Sequence, residues 1–336
     1  MTAAPNNTNG LPDNAIEITG LTKRYGGRSG ETHALKGIDL AIPRGSMFAL
    51  LGPNGAGKST LINILAGLVR KTSGTARIWG IDIDAHPRQA ASAIGVVPQE
   101  LNLDAFFTPR EALELQAGMY GVPASERRTD EILARVGLAD KADSYARRLS
   151  GGMRRRLLVG KAMVHNPPVL VLDEPTAGVD IELRQQLWAE VKRMNAEGVT
   201  IVITTHYLEE AEALCDRIAI INQGSLIAHD SKEALLRRID GKALILTLDA
   251  PLDAVPAALA PFQPELRADG RRLVIQYRPS RVRIADILDA VAASGLAIAD
   301  LSTEETDLED IFLQLTRGAT ADAGPADGPA WTASAA

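Results

Sequence analysis

The sequence predicts an α/β protein whose core is a parallel, doubly wound sheet, and three observations support that fold class. Met47–Leu51 is an apolar run that is followed by a glycine-rich loop and then by a helical pattern. Val169–Leu172 is a second continuous apolar run, typical of a strand that is buried on both faces. Beyond it, predicted helices and strands alternate as far as Ile221, which is the pattern of repeated strand–helix–strand units.

Short runs of alternating or apolar residues mark the remaining strands of this core. Ile16–Ile18 and Ile38–Ile42 alternate apolar and polar residues, which predicts two half-buried strands near an edge. Residues from about 109 to 163 have a helical period and few β-branched residues, which predicts a helical insert. Further strands are predicted at 75–79, 95–97, 200–205 and 217–221, and further helices at 181–195 and 207–214.

Composition divides the chain into a main domain, 15–240, and a small accessory domain, 241–317. The accessory segment is predicted to be α+β, in the order strand, helix, hairpin, helix, strand, helix, with Ala268–Gly270 as the hairpin turn. Residues 1–14 are polar and turn-rich, and residues 318–336 are rich in alanine, glycine and proline. Both ends are therefore predicted to be disordered.

Charge, hydropathy and cysteine content exclude several classes of function. The 336 residues are 46% hydrophobic and 23% charged, as in ordinary globular proteins, and their net charge of −6 gives no general attraction for nucleic acid. No run of about 18 apolar residues is present and the N-terminus lacks a signal-peptide pattern, so we expect no membrane span. The single cysteine, Cys215, fits a reducing compartment and is interpreted as a small buried apolar residue on a helix.

The glycine-rich loop after the first buried strand carries the clearest chemistry. Gly52–Ser59 has the pattern G-x-x-x-x-G-K-S, in which backbone N–H groups and a helix N-terminus surround an anionic phosphate. Lys58 is expected to reach the β- and γ-phosphates of a nucleotide, and the Ser59 hydroxyl to bind Mg²⁺. The alternative, a glycine-rich turn before a packing helix, is disfavoured because strand, loop and helix occur in the required order.

Two adjacent carboxylates, Asp173 and Glu174, follow the second buried strand. Asp173 is expected to hold Mg²⁺, directly or through water, while Glu174 points away from it and could polarise an attacking water. The alternative is that an acidic pair before Pro175 caps a helix. The phosphate loop upstream favours the catalytic interpretation.

A second anion-binding loop is predicted at Leu149–Met153, where Ser150, Gly151 and Gly152 open a helix. One active site does not need two such loops from one chain, which suggests that the second serves a partner's nucleotide. A simple serine N-cap is the alternative.

Taken together, these motifs resemble the ATPase subunit of ATP-binding cassette (ABC) transporters, over about Ile16–Asp230 and in the family's order and spacing. The resemblance implies Glu174, His206 and Lys58 as catalytic residues, and Ser59, Gln99 and Asp173 as Mg²⁺ ligands. It also implies that ATP is bound by Tyr25, Gly52, Pro53, Asn54, Gly55, Ala56, Gly57, Lys58, Ser59, Thr60, Gln99, Ser150, Gly151, Gly152 and Asp180.

Two positions depart from the family pattern. The signature loop ends in Met153 where glutamine is usual, so no phosphate role is assigned to this residue. The D-loop, Ala177–Asp180, lacks the commoner serine at its start. The neighbouring arginines at 147, 148 and 154–156 are interpreted as charge balance around the signature helix and the triphosphate, because no aromatic residues interleave with them.

The segments at 149–180 and 204–224 are similar to ATPase subunits of ABC-2 type exporters, whose membrane spans lie on a separate chain. Members often carry a C-terminal appendage that ends in a pattern like that at Leu308–Leu315. The resemblance implies two copies that close head to tail around two Mg-ATP at the cytoplasmic face of the membrane and drive a permease subunit. Phe106–Pro109 is the expected surface for that subunit, unless the two phenylalanines pack inside the insert.

Two other functions remain open from the sequence. The first is an ABC ATPase that moves no solute, as in DNA repair or translation; repair types carry long coiled coils and translation types two cassettes, and neither is seen here. The second is energising of an importer. A membrane chain that copurifies with the protein would separate transport from the soluble roles.

Overall fold

The computed structural model describes residues 10–27, 30–176, 181–205, 207–238, 242–267, 270–277, 279 and 281–305, of which 181–183, 236–238, 304 and 305 are described by their backbone alone. The chain divides into two compact units, residues 1–232 and 233–336. The sequence-based domain bounds, 15–240 and 241–317, stay a prediction.

The first unit contains two sheets and the helices around them. Its strands are β1 (Asn14–Gly27), β2 (Gly30–Pro43), β3 (Met47–Leu51), β4 (Ser73–Ile78), β5 (Ile81–Asp82), β6 (Ile94–Val97), β7 (Val169–Asp173), β8 (Thr200–Thr205), β9 (Arg217–Asn222) and β10 (Ser225–Ser231). Its helices are α1 (Lys58–Leu65), α2 (Pro87–Ser92), α3 (Pro109–Met119), α4 (Thr129–Arg135), α5 (Gly151–Met163), α6 (Ile181–Ala196) and α7 (Leu208–Leu214), and α8 (Lys232–Arg238) begins where the units divide.

The parallel core predicted from the apolar runs is confirmed. Six strands pair in the order β10-β9-β3-β8-β7-β6. The five strands from β9 to β6 in this order are parallel, and β10 is antiparallel at one edge. Every residue of β3 and of β7 is buried. Burial on both faces explains why these two strands are continuous apolar runs rather than alternating ones.

A separate antiparallel sheet, in the order β2-β1-β4-β5, contains the alternating segments. The edge position predicted for both segments holds for Ile38–Ile42 only, because Ile16–Ile18 lies in β1 between β2 and β4. Strand β1 also begins at Asn14, within the N-terminal segment predicted to be disordered. Phe48, Leu61 and other side chains from both sheets and from α1 form one buried apolar cluster, which fixes α1 against the two sheets.

The helical insert consists of α3, α4 and α5, and it has an apolar core of its own, which includes Leu113, Leu133 and Leu157. Thr108 begins α3 with a capping box, in which its hydroxyl accepts from Glu111 N at 3.2 Å and its N–H donates to Glu111 Oε2 at 2.8 Å. These contacts stabilise α3 at the point where the chain enters the insert.

Cys215 is buried, as predicted, although it caps the end of α7 rather than lying within a helix. Burial, with the nearby carboxylate of Asp216, raises the pKa of its thiol to about 12. Such a thiol stays protonated at neutral pH and acts as a small apolar side chain.

The second unit has the strands β11 (Lys242–Leu248), β12 (Glu265–Leu266), β13 (Arg272–Tyr277) and β14 (Ile298–Glu305), the helix α9 (Ile284–Ala293) and a 3₁₀ helix at Ala257–Phe262. The strands pair in the antiparallel order β12-β13-β11-β14. The predicted order of strand, helix, hairpin, helix and strand is confirmed. Two residues of the hairpin turn, Ala268 and Asp269, lie outside the described residues, as do the last predicted helix and the family-like pattern at Leu308–Leu315.

In the part of the chain that the structure describes, every helix is too short or too polar to cross a bilayer.

Candidate active site

Parallel register brings the ends of three central strands to one edge of the sheet. Leu51, the last residue of β3, pairs with Thr205 of β8, and Asp173, the last residue of β7, pairs with Thr204. The loop that starts at Gly52 and the carboxylate of Glu174 therefore leave the sheet at the same level. Ligands of open α/β sheets bind at this carboxyl edge.

The phosphate loop connects β3 to α1 through backbone that only glycine adopts easily. Gly57 has φ 110° at the N-cap of α1, and a Cβ at this position would lie 2.7 Å from the Ala34 carbonyl oxygen. Gly52 packs equally closely, since its Cβ would lie 2.3 Å from the Ile221 carbonyl oxygen. The loop is thus held against β2 and β9, and the N–H groups that open α1 face its interior.

Lys58 is buried at the start of α1. Its Nζ donates to the carbonyl oxygens of Gly52 at 2.6 Å and of Pro53 at 3.2 Å. An ammonium has three donors, so these two bonds leave one donor for an anion. Burial lowers the pKa of Lys58, and the negative charges of Glu174 and Asp173 partly oppose that effect, which places the ammonium within electrostatic reach of both carboxylates.

Glu174 has an unusual backbone. Its φ is 45°, in the left-handed region that residues other than glycine rarely adopt. Its N–H donates to both the carbonyl oxygen and the hydroxyl of Thr204, each at 3.0 Å. Such strain persists only where the surroundings hold it, and it is common at functional sites.

Thr204 and Gln99 join the two carboxylates into one cluster. The Thr204 hydroxyl donates to Asp173 Oδ1 while it accepts from the Glu174 N–H. Gln99 Nε2 donates to Glu174 Oε2 at 2.9 Å. Four predicted site residues, Lys58, Gln99, Asp173 and Glu174, are therefore brought together by the fold.

Tyr25 lies near the end of β1 and its side chain is 41% exposed. The Lys23 ammonium lies 4.5 Å from the centre of its ring, at the distance of a cation–π contact. Tyr25 is therefore an exposed surface residue rather than a core residue.

The predicted second phosphate loop forms the start of α5. Ser150 is the N-cap, and its hydroxyl accepts from Met153 N at 3.2 Å, which is the alternative arrangement that the sequence left open. The Met153 side chain packs against the core of the insert. Ser150 and Gly151 are exposed, so the N-terminus of α5 faces outwards.

Two predicted residues, His206 and Asp180, lie outside the described residues. By sequence His206 directly follows Thr205, the last residue of β8.

Sequence reasoning missed Thr204 and Arg155. The only signal for Thr204 was a pair of threonines at the end of an apolar strand. Arg155 had been grouped with charge-balancing arginines, but its guanidinium donates to the backbone carbonyls of Pro98 and Gln99, and Arg156 donates to those of Val136 and Gly137.

Comparison with known proteins places this geometry in a family. Residues 35–177 match the family described as ABC transporter. The chain is 36% identical over 303 residues to a Nod factor export ATP-binding protein of Ralstonia nicotianae, covering 90% of this chain and 93% of that protein. It is also 36% identical over 308 residues to a linearmycin resistance ATP-binding protein of Bacillus subtilis, and 34% identical over 309 residues to a daunorubicin resistance ATP-binding protein of Streptomyces coeruleorubidus.

Solved structures support the same assignment. An ATP-binding subunit of an ABC transporter superposes with a TM-score of 0.60 at 29% identity, covering 67% of this chain and 92% of that one. A dimeric ATP-binding cassette in a post-hydrolysis state with ADP and Pi superposes with a TM-score of 0.59 at 28% identity, covering 64% of this chain and 98% of that one. The resemblance derived from the motifs is confirmed: the chain belongs to the ABC transporter family, as one of its ATP-hydrolysing subunits.

Proposed function

We propose that this chain is the ATPase of a membrane exporter, and that two copies close head to tail around two Mg-ATP to drive a separate membrane chain. The observation that carries the hydrolytic part is the cluster around Glu174. Its backbone is held in a strained conformation by Thr204 and its carboxylate accepts from Gln99, beside Asp173 and Lys58. The relatives, which are export and drug-resistance ATP-binding proteins, support the transport part.

ATP is proposed to lie along the phosphate loop. The glycine backbone, the N–H groups of Lys58, Ser59 and Thr60, and the Lys58 ammonium supply donors for the β- and γ-phosphates. Tyr25 would stack on adenine with the face opposite Lys23. The ring would then be stacked between a cation and a base, and both neighbours are attracted to its π-face.

Mg²⁺ fits the oxygen donors at this edge. The Ser59 hydroxyl, the Gln99 amide oxygen and an Asp173 carboxylate oxygen are hard ligands of the kind that Mg²⁺ prefers. The amide nitrogen of Gln99 donates to Glu174. The amide oxygen of Gln99 therefore points away from that carboxylate and stays an acceptor. When bound, Mg²⁺ would neutralise charge on the β- and γ-phosphates.

Hydrolysis then requires a base for the attacking water and a positive charge that stabilises the phosphate oxygens. We propose that the Glu174 carboxylate accepts a proton from the water that attacks the γ-phosphorus, while the bond to the ADP oxygen breaks. Lys58 stabilises the charge on the phosphate oxygens. His206, as the switch histidine, and Asp180, in the D-loop, are assigned to the ATP site by resemblance alone.

The outward-facing start of α5 is proposed to complete the site of the second copy. Ser150, Gly151 and Gly152 lie at a helix N-terminus, where free N–H groups and the helix dipole favour an anion. The exposure of this loop supports delivery to a partner's nucleotide rather than to the chain's own.

An exposed apolar pair at the entrance to the insert is proposed to receive the membrane chain. Phe106 is 73% and Phe107 37% exposed, and the Arg147 guanidinium lies 6.0 Å from the centre of the Phe106 ring. Through the membrane chain the protein would be held at the membrane surface. No nucleic acid is proposed as a partner.

The experiment is affinity purification of the tagged chain from membranes of its own organism, with the copurifying membrane protein identified by mass spectrometry. The wild type should bring down a chain with several membrane spans, and Phe106→Asp should lose it while keeping basal ATP hydrolysis. Leu68→Asp is the matched control, because Leu68 is 76% exposed outside the insert. Equal recovery with both variants would remove Phe106 from the interface, and recovery of no membrane chain with the wild type would count against the exporter.

A further inference from the structure

A buried arginine in α5 contacts the backbone beside the site, and the proposed mechanism gives it no role. Arg155 is 4% exposed and lies two residues beyond Met153, on the helix that the signature loop opens. Burial lowers the pKa of its guanidinium, and the negative charge of Asp173 partly opposes this. A cation in such a position costs free energy unless its donors are used well.

Its two terminal nitrogens donate to two consecutive backbone carbonyls, while Nε is buried with no hydrogen-bond partner among the described residues. Nη1 donates to the Pro98 oxygen at 2.8 Å and Nη2 to the Gln99 oxygen at 2.9 Å. Within the described residues Arg155 forms no ion pair, so these two carbonyl oxygens are the acceptors of its charged guanidinium. A planar guanidinium holds two acceptors in one fixed geometry, which a lysine cannot do.

The segment held in this way carries Gln99. It leaves β6, which ends at Val97, and the Gln99 side chain then donates to Glu174 Oε2 at 2.9 Å. The backbone of Glu174 is fixed independently, by Thr204. A path of two contacts in series therefore runs from α5 to the carboxylate: Arg155 to the Gln99 carbonyl, and the Gln99 amide to Glu174.

We propose that Arg155 is a positioning residue that holds the Gln99 amide on Glu174 and makes this contact depend on the position of α5. Movement of α5 would carry the guanidinium, and with it the Pro98–Gln99 backbone, towards or away from Glu174. Since α5 begins with Ser150, engagement of the signature loop and orientation of the base would be linked within one chain. This inference rests on the proposed role of Glu174.

The test is a double-mutant cycle in the full-length protein, with Arg155→Met, Arg155→Lys, Gln99→Ala and the two double variants. Single-turnover hydrolysis gives the rate of the chemical step, a fluorescent ATP analogue gives nucleotide affinity, and thermal unfolding reports the fold. Arg88→Met is the control for loss of a positive charge, because Arg88 is exposed on α2, outside the insert.

Arg155→Met and Gln99→Ala should each slow the chemical step about tenfold to a hundredfold, the scale of a misplaced catalytic group, and Arg155→Met should leave nucleotide affinity nearly unchanged. The double variant should be no slower than the worse single variant, because both act through one contact. Arg155→Lys should fall between wild type and Arg155→Met, and it carries the same cycle if Arg155→Met does not fold. Arg88→Met should match the wild type.

Multiplicative effects in the double variant, or a wild-type rate in Arg155→Met, would overturn the proposal. Hydrolysis by the wild type distinguishes failure of this inference from failure of the proposed function. If the wild type is active and the two substitutions have multiplicative effects, only the role of Arg155 is contradicted. If the wild type is inactive, the proposed function is contradicted.

Discussion

Asp173 and Glu174 are neighbours in the chain, yet the fold gives their side chains different hydrogen-bond partners. Asp173 ends β7 and is bonded to the Thr204 hydroxyl, whereas Glu174 turns out of the strand at φ 45° and meets Gln99. In an ordinary strand, two successive carboxylates would point to opposite faces of the sheet. The turn at Glu174 also separates the two carboxylates, but it directs the second one into the loop region. This geometry makes Glu174 the candidate for the base.

Glu174→Gln should bind Mg-ATP normally and hydrolyse it at least about a hundredfold more slowly, because the amide keeps the shape of the side chain and loses its basicity. Single-turnover hydrolysis and equilibrium binding of the nucleotide measure the two effects separately. Glu209→Gln is the control, since Glu209 is an exposed carboxylate on α7. Near wild-type turnover in Glu174→Gln would remove this residue from the mechanism.

Tyr25→Ala should weaken ATP binding by about 1–3 kcal/mol, the range found for stacking of a base on an aromatic ring. Phe or Trp at this position should restore binding well and Leu poorly, because only a π-face can stack. Isothermal calorimetry with ATP measures the difference. If Leu restores binding as fully as Phe, the ring contributes packing and not stacking.

Local sequence predicted the site residues that belong to a short motif. It missed those that contact the site from distant parts of the chain. The phosphate loop and the acidic pair follow apolar runs directly, so their positions at a strand end could be deduced. Thr204 and Arg155 bind Glu174 and Gln99 from distant parts of the chain, and no local pattern encodes such contacts. The Met153 side chain also shows its role only in three dimensions, where it packs on the insert.

At the level of helices and strands, periodicity identified elements more reliably than it assigned them to a sheet. Alternation at Ile16–Ile18 correctly predicts one buried face, but the same alternation fits an edge of the parallel sheet and an inner strand of a second sheet. Pairing with both β2 and β4 decides between them. β2 follows β1 directly as a hairpin partner, whereas β4 is distant from β1 in sequence. The helical insert was easier to predict, because its apolar period is local.

The capping box of α3 provides a test at this level. Thr108→Ala should lower the free energy of unfolding by about 1 kcal/mol, because an N-terminal N–H of α3 loses its acceptor. Thr108→Ser retains the hydroxyl and should lose much less. Urea unfolding followed by far-ultraviolet circular dichroism measures both variants. Equal stability of the alanine and serine variants would show that the cap contributes nothing.

At the scale of the whole molecule, the described residues include two loops proposed to bind anions and one cluster of candidate catalytic groups. The phosphate loop lies at the carboxyl edge of the parallel sheet, with Glu174 beside it, while Ser150 opens α5 in the insert and faces outwards. A single chain cannot be expected to use both loops on one nucleotide if the second points to solvent. Two copies arranged head to tail would use every loop, and each nucleotide would lie between Lys58 of one copy and Ser150 of the other.

A mixing experiment tests this shared site most directly. Lys58→Ala in one preparation and Ser150→Arg in another should each abolish hydrolysis, since both sites of either homodimer contain a defect. In the heterodimer one site carries both defects, and the other combines an intact phosphate loop with an intact signature loop. Differentially tagged heterodimers, isolated and measured in a single turnover, should therefore recover hydrolysis at one site. If confirmed heterodimers hydrolyse no more ATP than either parent, each chain builds its site from its own two loops, and the shared site is contradicted.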